Sequence, residues 1–430
     1  VDILYLFMLQ QGVKSFSEDG LYPQFGDSVQ RGESQINPGA IGLSFYTSFA
    51  NPASLNYTWN QRSDSTISKS NRSVFYVANA RTFWGSVCFN RSSIHYPPSL
   101  MNHKPLVSVI IPTYNRPDYL REALYSAVQQ TYSNLEIIVS DDAGSSENWM
   151  VANSFNDPRV RYRRNETNLG ILGNNLAAFR ETQGKYVVDL NDDDAWEPHF
   201  LSTLVPYLEA DPDLVVAFAD HFVMDEHSII QPEVTEQNTR RWHRDRITPG
   251  VHKPFHQLSL VYKSVPIVMA AVIRRDAIEW NDFPAEVGPV YDYWLNYLAS
   301  RTGHGAYYHP ERLTRYRFHD GSESSTGRMR VHKGQIYCFS RFIEDERLKE
   351  FRSHFQWEYG RAHLNLAAAL IQAGQATEAR SLLLPGLLNA PGFRAGMIVL
   401  LACFPQAWVQ GLLNLKSLVN NIFKKQAIKA

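Results

Sequence analysis

Asp192, Asp193 and Asp194 stand together in the stretch Lys185-Tyr-Val-Val-Asp-Leu-Asn-Asp-Asp-Asp-Ala-Trp-Glu-Pro198. Three adjacent carboxylates repel one another and raise each other's pKa, so such a cluster is costly unless a cation or strong donors sit within it. A hard divalent ion, Mg²⁺ or Mn²⁺, carrying a substrate phosphate would supply the counter-charge. Taken alone, the stretch also fits one Asp capping a following helix with the other two in water. Two more stretches end in chemistry-bearing residues. Leu135-Glu-Ile-Ile-Val-Ser140 runs into Asp141-Asp142, and Leu106-Val-Ser-Val-Ile-Ile-Pro112 runs into Thr113-Tyr114-Asn115. A carboxylate at such a tip can accept from the N–H of a nucleobase, and a flat tyrosine can stack on that base.

The elements that must position these residues follow from hydropathy. The runs 106–112, 135–140 and 185–190 are apolar and β-branched, the pattern of buried strands. A helix is expected from Asp118, with Leu120, Leu124, Ala127 and Val128 on one face. A short third strand is expected at Arg159–Arg163, and a helix from Asn168-Leu-Gly-Ile-Leu-Gly-Asn-Asn175 to about Thr182, stopped by Gly184. Pro198 is expected to open another helix. Strands alternating with helices over short links form a mostly parallel sheet with right-handed crossovers, and ligands bind beyond the carboxyl ends of its strands. Three strand ends carrying polar or acidic residues at that one rim favour a site over a helix cap. The chain has neither Gly-x-Gly-x-x-Gly nor Gly-x-x-x-x-Gly-Lys, so neither a dinucleotide fingerprint nor a P-loop is present. A diphosphate must then be held by a metal and scattered donors, which describes a metal-using nucleoside-diphosphate site.

Length and composition bound the rest. With 430 residues, 44% hydrophobic and 13% aromatic, the chain can bury two or three domain cores. A net charge of −1 supplies no global field toward nucleic acid. Cys88, Cys338 and Cys403 are odd in number and far apart, which argues against a disulfide framework or a cysteine zinc site and suits a reducing compartment. Sequons at Asn56, Asn71, Asn90 and Asn165 carry little weight. Residues 1–101 are rich in Ser, Asn, Gly and aromatics without sustained periodicity, and Ile3–Leu9 is too short to span a bilayer. They are expected to be an irregular extension outside the folded α/β domain; a small β-rich accessory domain is the alternative.

After the third rim, Asp213–Val223 reads as a strand, 225–262 as irregular with a basic cluster at Arg240–Arg246, and Val265–Ile273 as an apolar run continuing into a helix. The basic cluster fits a solvated loop face or contact with an anionic acceptor or phospholipid head group. Asp292 opens an aromatic helix in Gly288-Pro-Val-Tyr-Asp-Tyr-Trp-Leu295, where it can cap the helix or act as a base. Residues 326–430 read as helical, with a hairpin over Trp357–Leu388 turning at Gly374. The uncharged apolar run Ala395–Leu415 precedes Lys416, Lys424, Lys425 and Lys429. Pro405, Gln406 and Gln410 weaken a spanning helix, so peripheral membrane contact through 395–429 is expected, with plain packing or dimerisation as the rival.

Val107-Ser-Val-Ile-Ile-Pro-Thr-Tyr-Asn115, Val139-Ser-Asp-Asp142, Asn168-Leu-Gly170 and Asn191-Asp-Asp-Asp194 with Pro198, in that order, resemble the GT-A fold of family 2 glycosyltransferases. The resemblance covers 102–325. It implies a nucleoside-diphosphate-sugar donor, a hydroxyl acceptor on a glycan or lipid-linked molecule, a divalent metal, and inversion at the anomeric carbon. By motif position, Pro112, Thr113, Tyr114 and Asn115 would belong to the donor pocket, Asp142 would contact the base, and Asp192 would lie near the ribose. Asp193 would bind the metal with Asp194 beside it, and Asp292 would be the general base, its pKa raised by Tyr291, Tyr293 and Trp294. His319, in a family-like Tyr-Arg-x-His ending, would ligate the metal, touch the diphosphate or pin its loop. Two departures stand out: Asn191 replaces a frequent Asp, and Gly173-Asn-Asn175 replaces Ala-Arg-Asn, removing a cation from the diphosphate site. The expected role is surface-glycan synthesis at the cytoplasmic face of the plasma membrane. A multi-spanning polysaccharide synthase is disfavoured by the lack of clustered apolar spans and of Gln-x-x-Arg-Trp. A nucleotidyltransferase and a non-catalytic nucleotide-sugar- or protein-binding module are the rivals.

Overall fold

The computed structural model describes residues 104–319, 328–404 and 411. The N-terminal stretch to residue 101, Cys88, three of the four sequons and the basic tail beyond Leu415 lie outside the described residues.

Period-two burial builds the sheet. All seven residues of β1 (Val107–Thr113) are buried. Its side chains alternate, so Val107, Val109 and Ile111 enter one core while Ile110 enters another on the opposite face. A strand covered on both sides has no polar face, which is why β1 reads as apolar apart from Ser108 and the terminal Thr113. β2 (Leu135–Asp141), β3 (Val160–Arg164) and β4 (Tyr186–Asp189) join it as parallel neighbours in the order β3-β2-β1-β4. Beyond β4 come β8 (Ala271–Arg274), β6 (Leu214–Met224), β9 (Gly305–Arg317) and β5 (Ala195–Trp196), with β7 (Gly250–His252) also pairing β9. The long ladders are parallel, and the antiparallel ones span two or three residue pairs each. The result is a mostly parallel, helix-flanked α/β sheet.

Helices cover both faces. α1 (Pro117–Val128) starts at its proline, whose ring supplies the right φ, and buries Leu120, Ala123, Leu124 and Ala127. α2 (Ser146–Ser154) and α3 (Gly170–Phe179) flank the parallel half, and α4 (Phe200–Ala210) starts two residues past Pro198. The intervening Ala195–Trp196 pairs with β9 instead, and Trp196 Nε1 donates to the Met269 carbonyl at 2.7 Å.

Two stretches differ from expectation. Pro232–Arg241, inside the segment read as irregular, is a helix, α5. It escapes a search for apolar periodicity because only Thr235 and Thr239 are buried on it, and hydroxyls dock it: Thr235 Oγ1 accepts from Val223 N at 2.9 Å and Thr239 Oγ1 donates to Asp220 Oδ2 at 2.8 Å. The apolar run at 265–273 leads into strand β8 followed by a single 3₁₀ turn rather than a helix.

α6 (Tyr291–Ser300) packs Tyr293, Trp294 and Tyr297 against α7 (Arg328–Glu344) and α8 (Arg352–Gln372). Phe342 on α7 has its ring 4.8 Å from Tyr297 and 5.3 Å from Tyr293 and Phe355, within the range of favourable aromatic pairs. The C-terminal helices therefore share a core with the sheet. The expected turn forms at Gly374 (φ 83), followed by α9 (Ala376–Ser381), α10 (Leu383–Asn389) and α11 (Phe393–Cys403). Among the described residues no helix is long and apolar enough to cross a membrane.

Candidate active site

The carboxyl ends of β1, β2 and β4 meet at one rim. At β1, Pro112 and Thr113 are buried, and Tyr114 is 48% exposed as a free stacking face. Asn115 turns the chain with φ 54, and its Oδ1 accepts from Ser145 N at 2.8 Å, tying the β1 rim to the loop after β2. A non-glycine residue in this region persists only where its surroundings over-determine it, and such positions gather at functional sites. Arg116 follows. Pro117 keeps it out of the helical region (φ −133, ψ 58), so it projects from the mouth of α1 rather than joining the helix.

At β2 the two aspartates support loops. Asp141 accepts from Gly144 N at 2.8 Å and from Tyr162 Oη at 2.5 Å. Asp142, 3% exposed, accepts from Asn165 Nδ2 (2.8 Å), Leu169 N (2.8 Å) and Gly170 N (2.9 Å). Its charge thus sits on the orphan N–H groups that open α3, where the helix dipole favours an anion. The sequon at Asn165 is likewise buried in this contact.

At β4 the three adjacent aspartates take three different environments. Asp192 is 6% exposed and accepts from Arg116 Nη1 at 3.3 Å. Burial, with the Asp193 charge beside it, pushes its carboxyl up to about 7 against the pull of Arg116. Asp193 faces the opening: its Oδ2 lies 2.9 Å from Arg116 Nη1 and 3.1 Å from His319 Nε2. Asp194 is 1% exposed and turned inward, accepting from Arg317 N and Asn191 Nδ2, each at 2.9 Å. Burial and Asp193 raise its pKa well above the usual range. The Asn191 amide has a physical reason here, because a second carboxylate could not donate to Asp194.

Arg317 holds this loop from behind. It is 2% exposed, and its Nε donates to the Asp193 carbonyl at 2.7 Å. Its other nitrogens reach the Asp225 carbonyl (3.0 Å), Ser228 Oγ (2.9 Å) and Glu122 Oε2 (2.6 Å), and it lies 4.7 Å from the Tyr119 ring centroid.

The last piece comes from α6. Tyr291 Oη donates to Asp189 Oδ2 at 2.8 Å, anchoring the first turn of that helix to the final residue of β4. Asp189 is completely buried, and burial pushes its carboxyl up to about 7. Every residue of Tyr291–Ser300 is buried except Asp292, which is exposed. The three aromatic neighbours turn into the core, Tyr293 Oη donating to Leu260 O at 2.5 Å and Trp294 Nε1 to Asp282 O at 2.6 Å. Asp292 occupies a solvent-reaching recess crowded by protein. Crowding raises its pKa, opposed by the N–H groups of the helix start and by Lys263.

Arg244 of the basic cluster points inward instead, pairing with Asp220 Oδ1 at 2.6 Å as a core ion pair. Arg116, Asp189, Tyr291 and Arg317 are the residues sequence reading missed. The signal for Arg116 was its place directly after the Pro-Thr-Tyr-Asn tip and before a proline; for Arg317, the Tyr-Arg-x-His pattern.

Among the described residues no set of three or more His, Cys, Asp and Glu side chains converges as a metal site. Asp193 and His319 do form a pair. Cis ligands at ~2.1 Å around an octahedral ion are roughly 3 Å apart. The 3.1 Å between Asp193 Oδ2 and His319 Nε2 is a hydrogen-bond distance that is also compatible with two cis positions on such an ion.

Comparison with known proteins shows the family. Residues 108–278 match the model of glycosyl transferase family 2. An uncharacterized glycosyltransferase of Haemophilus influenzae is 30% identical over 235 residues, covering 52% of this chain and 69% of that protein. The chain belongs to glycosyl transferase family 2. WcaA of Escherichia coli K12, named as a colanic acid biosynthesis glycosyl transferase, is 31% identical to this family member over 134 residues, 31% of this chain and 48% of that protein. The match thus spans about half of that relative's length. WfaP of Escherichia coli, named as a UDP-Glc:alpha-D-GlcNAc-diphosphoundecaprenol beta-1,3-glucosyltransferase, is 27% identical over 225 residues, 51% of this chain and 80% of that protein.

Proposed function

We propose that this family 2 member transfers a sugar from a nucleoside diphosphate to an acceptor hydroxyl, with inversion, by direct displacement. The observation that carries this is Asp292: a helix buried all round presents one side chain to solvent, and it is a carboxylate tied through Tyr291 and Asp189 to the strand that bears Asp192–Asp194. Tyr114 offers its face to the base. Asp142 shapes the wall of the pocket by holding the start of α3. Asp193 and His319 would hold a divalent ion. When bound, that ion would supply positive charge to the departing diphosphate.

In the reaction the acceptor O–H gives its proton to the Asp292 carboxylate, and the oxygen forms a bond to the anomeric carbon. The bond from that carbon to the diphosphate oxygen breaks, and its electron pair leaves with the diphosphate. A raised pKa makes Asp292 a stronger base than an ordinary aspartate, provided it is ionised at the working pH.

The relatives' names support a lipid-linked or other glycan acceptor and a role in surface polysaccharide synthesis. Leu384 (65% exposed), Leu388 (72%) and Phe393 (65%) on α10 and α11 support contact of this end with a membrane surface, with the enzyme peripheral at the cytoplasmic face. The deciding experiment compares wild type with Asp292→Asn in a transfer assay with Mn²⁺, while nucleoside-diphosphate binding is followed by thermal shift. The variant is expected to bind as wild type does and to lose at least about 100-fold in kcat, the lower end of general-base catalysis. Near-full activity would remove Asp292 from the mechanism.

A further inference from the structure

The chain lacks the arginine that the family pattern places after the Asn-x-Gly turn, having Gly173-Asn-Asn175 there. The three arginines of β3 are engaged elsewhere, Arg161 with Glu181. Arg163 donates to Glu181, Ser140 and Asn165, and Arg164 Nη2 donates to the Gly144 carbonyl at 2.7 Å. Whereas the Arg317 guanidinium bonds the Asp193 backbone carbonyl, that of Arg116 bonds the side-chain carboxylates of Asp192 and Asp193. One nitrogen, Nη1, bridges Asp193 Oδ2 (2.9 Å) and Asp192 Oδ1 (3.3 Å). Asp193 Oδ2 is the same atom that faces His319, so the guanidinium engages the oxygen a divalent ion would need. Its side chain is 32% exposed, which leaves it room to move toward a ligand in the opening. Its planar fork can bridge carboxylate and phosphate oxygens together, which the point charge of a lysine does less well.

We propose that Arg116 is the diphosphate-handling cation of this enzyme: it neutralises Asp192 and Asp193 in the nucleotide-free protein, yields Asp193 Oδ2 to the divalent ion, and pairs with the diphosphate once the donor is bound. This rests on reading the rim as a nucleoside-diphosphate site. The same positive charge serves both states, and Pro117 holds it at the rim.

The test measures Mn²⁺ binding to the full chain by calorimetry, first alone and then with UDP or GDP. Arg116→Gln is expected to bind Mn²⁺ alone at least about tenfold more tightly than wild type, because a competing adjacent charge is gone. With Mn²⁺ saturating, it is expected to bind the nucleoside diphosphate at least about tenfold more weakly, having lost a charge-assisted contact. Arg116→Lys should restore weak Mn²⁺ binding but only part of the nucleotide affinity. Arg121→Gln, exposed on the same helix, should match wild type in both measurements. Unchanged Mn²⁺ and nucleotide affinities in Arg116→Gln, with wild type binding normally, would overturn the proposal alone. If wild type binds neither UDP nor GDP with Mn²⁺, the site reading falls and takes the proposal with it.

Discussion

Replacing Arg317 with methionine keeps a long apolar stem and the backbone N–H to Asp194 but deletes the guanidinium donors behind the acidic loop. The Asp193 carbonyl loses a charge-assisted bond of 2.7 Å, which costs about 1–3 kcal/mol when the acceptor stays buried. The Asp225 carbonyl keeps the Ser228 N–H at 3.1 Å, so its loss is smaller, roughly 0.5–1 kcal/mol. Breaking a fully buried ion pair would add about 3–5 kcal/mol. That figure does not apply, because the Glu122 side chain is 34% exposed and retains the Ser228 hydroxyl at 2.8 Å; about 1 kcal/mol or less is appropriate. The Tyr119 face gives up a cation contact but keeps a methionine against it. The sum is about 3 kcal/mol, to be read by equilibrium urea unfolding followed through tryptophan fluorescence. Arg317→Lys, with one ammonium for several acceptors, should lose about half as much. Mn²⁺ affinity should fall in the methionine variant as well, since the Asp193 backbone is no longer held. A stability change below about 1 kcal/mol would show that the loop is positioned without Arg317.

Three more outcomes follow from the same structure. Asp189 is raised from 3.8 to about 7 in the folded protein, so the native state binds the extra proton. Its contribution is therefore fully present below pH ~4 and is lost as pH rises through about 7, by at most about 4 kcal/mol. Asp189→Asn mimics the protonated form and should melt near wild type at pH 5 but above it at pH 8 in EDTA; parallel pH profiles would refute this. Gly334→Ala would drive a Cβ into the Val287 carbonyl and to 2.8 Å from Val290 Cγ2, at the turn that leads into Asp292. It should cost about 1–3 kcal/mol and lower kcat. The same change at Gly396, on a helix where an added Cβ meets nothing within 4 Å, should stabilise by about 0.5–1 kcal/mol. Differential scanning fluorimetry of the two variants side by side reads the opposite signs directly.

The amino-acid order by itself determined the parallel half of the sheet and the rim at which its polar strand tips gather. Runs such as Val107–Ile111 and Leu135–Val139 are apolar at every position but one, Ser108 and Glu136, because both faces of their strands are covered, and further polar residues gather where each strand leaves that cover. Those polar tips therefore mark the rim without reference to any distant residue. The helical hairpin at Gly374 was legible for a similarly local reason, since a residue with φ 83 favours glycine. What each rim residue does was decided only in three dimensions. Asp193 and Asp194 are neighbours in the chain, yet one faces Arg116 and His319 and the other the Arg317 backbone, and Arg317 meets the acidic loop across 124 positions of sequence. α5 was hidden because hydroxyl contacts, not an apolar stripe, hold it in place. Asp292 looked enclosed by its aromatic neighbours, and packing of α6 against α7 and α8 draws those rings inward and leaves the carboxylate outside. Periodicity records which face of an element avoids water, whereas hydrogen-bond partners and the direction of a charged side chain depend on which distant elements arrive beside it.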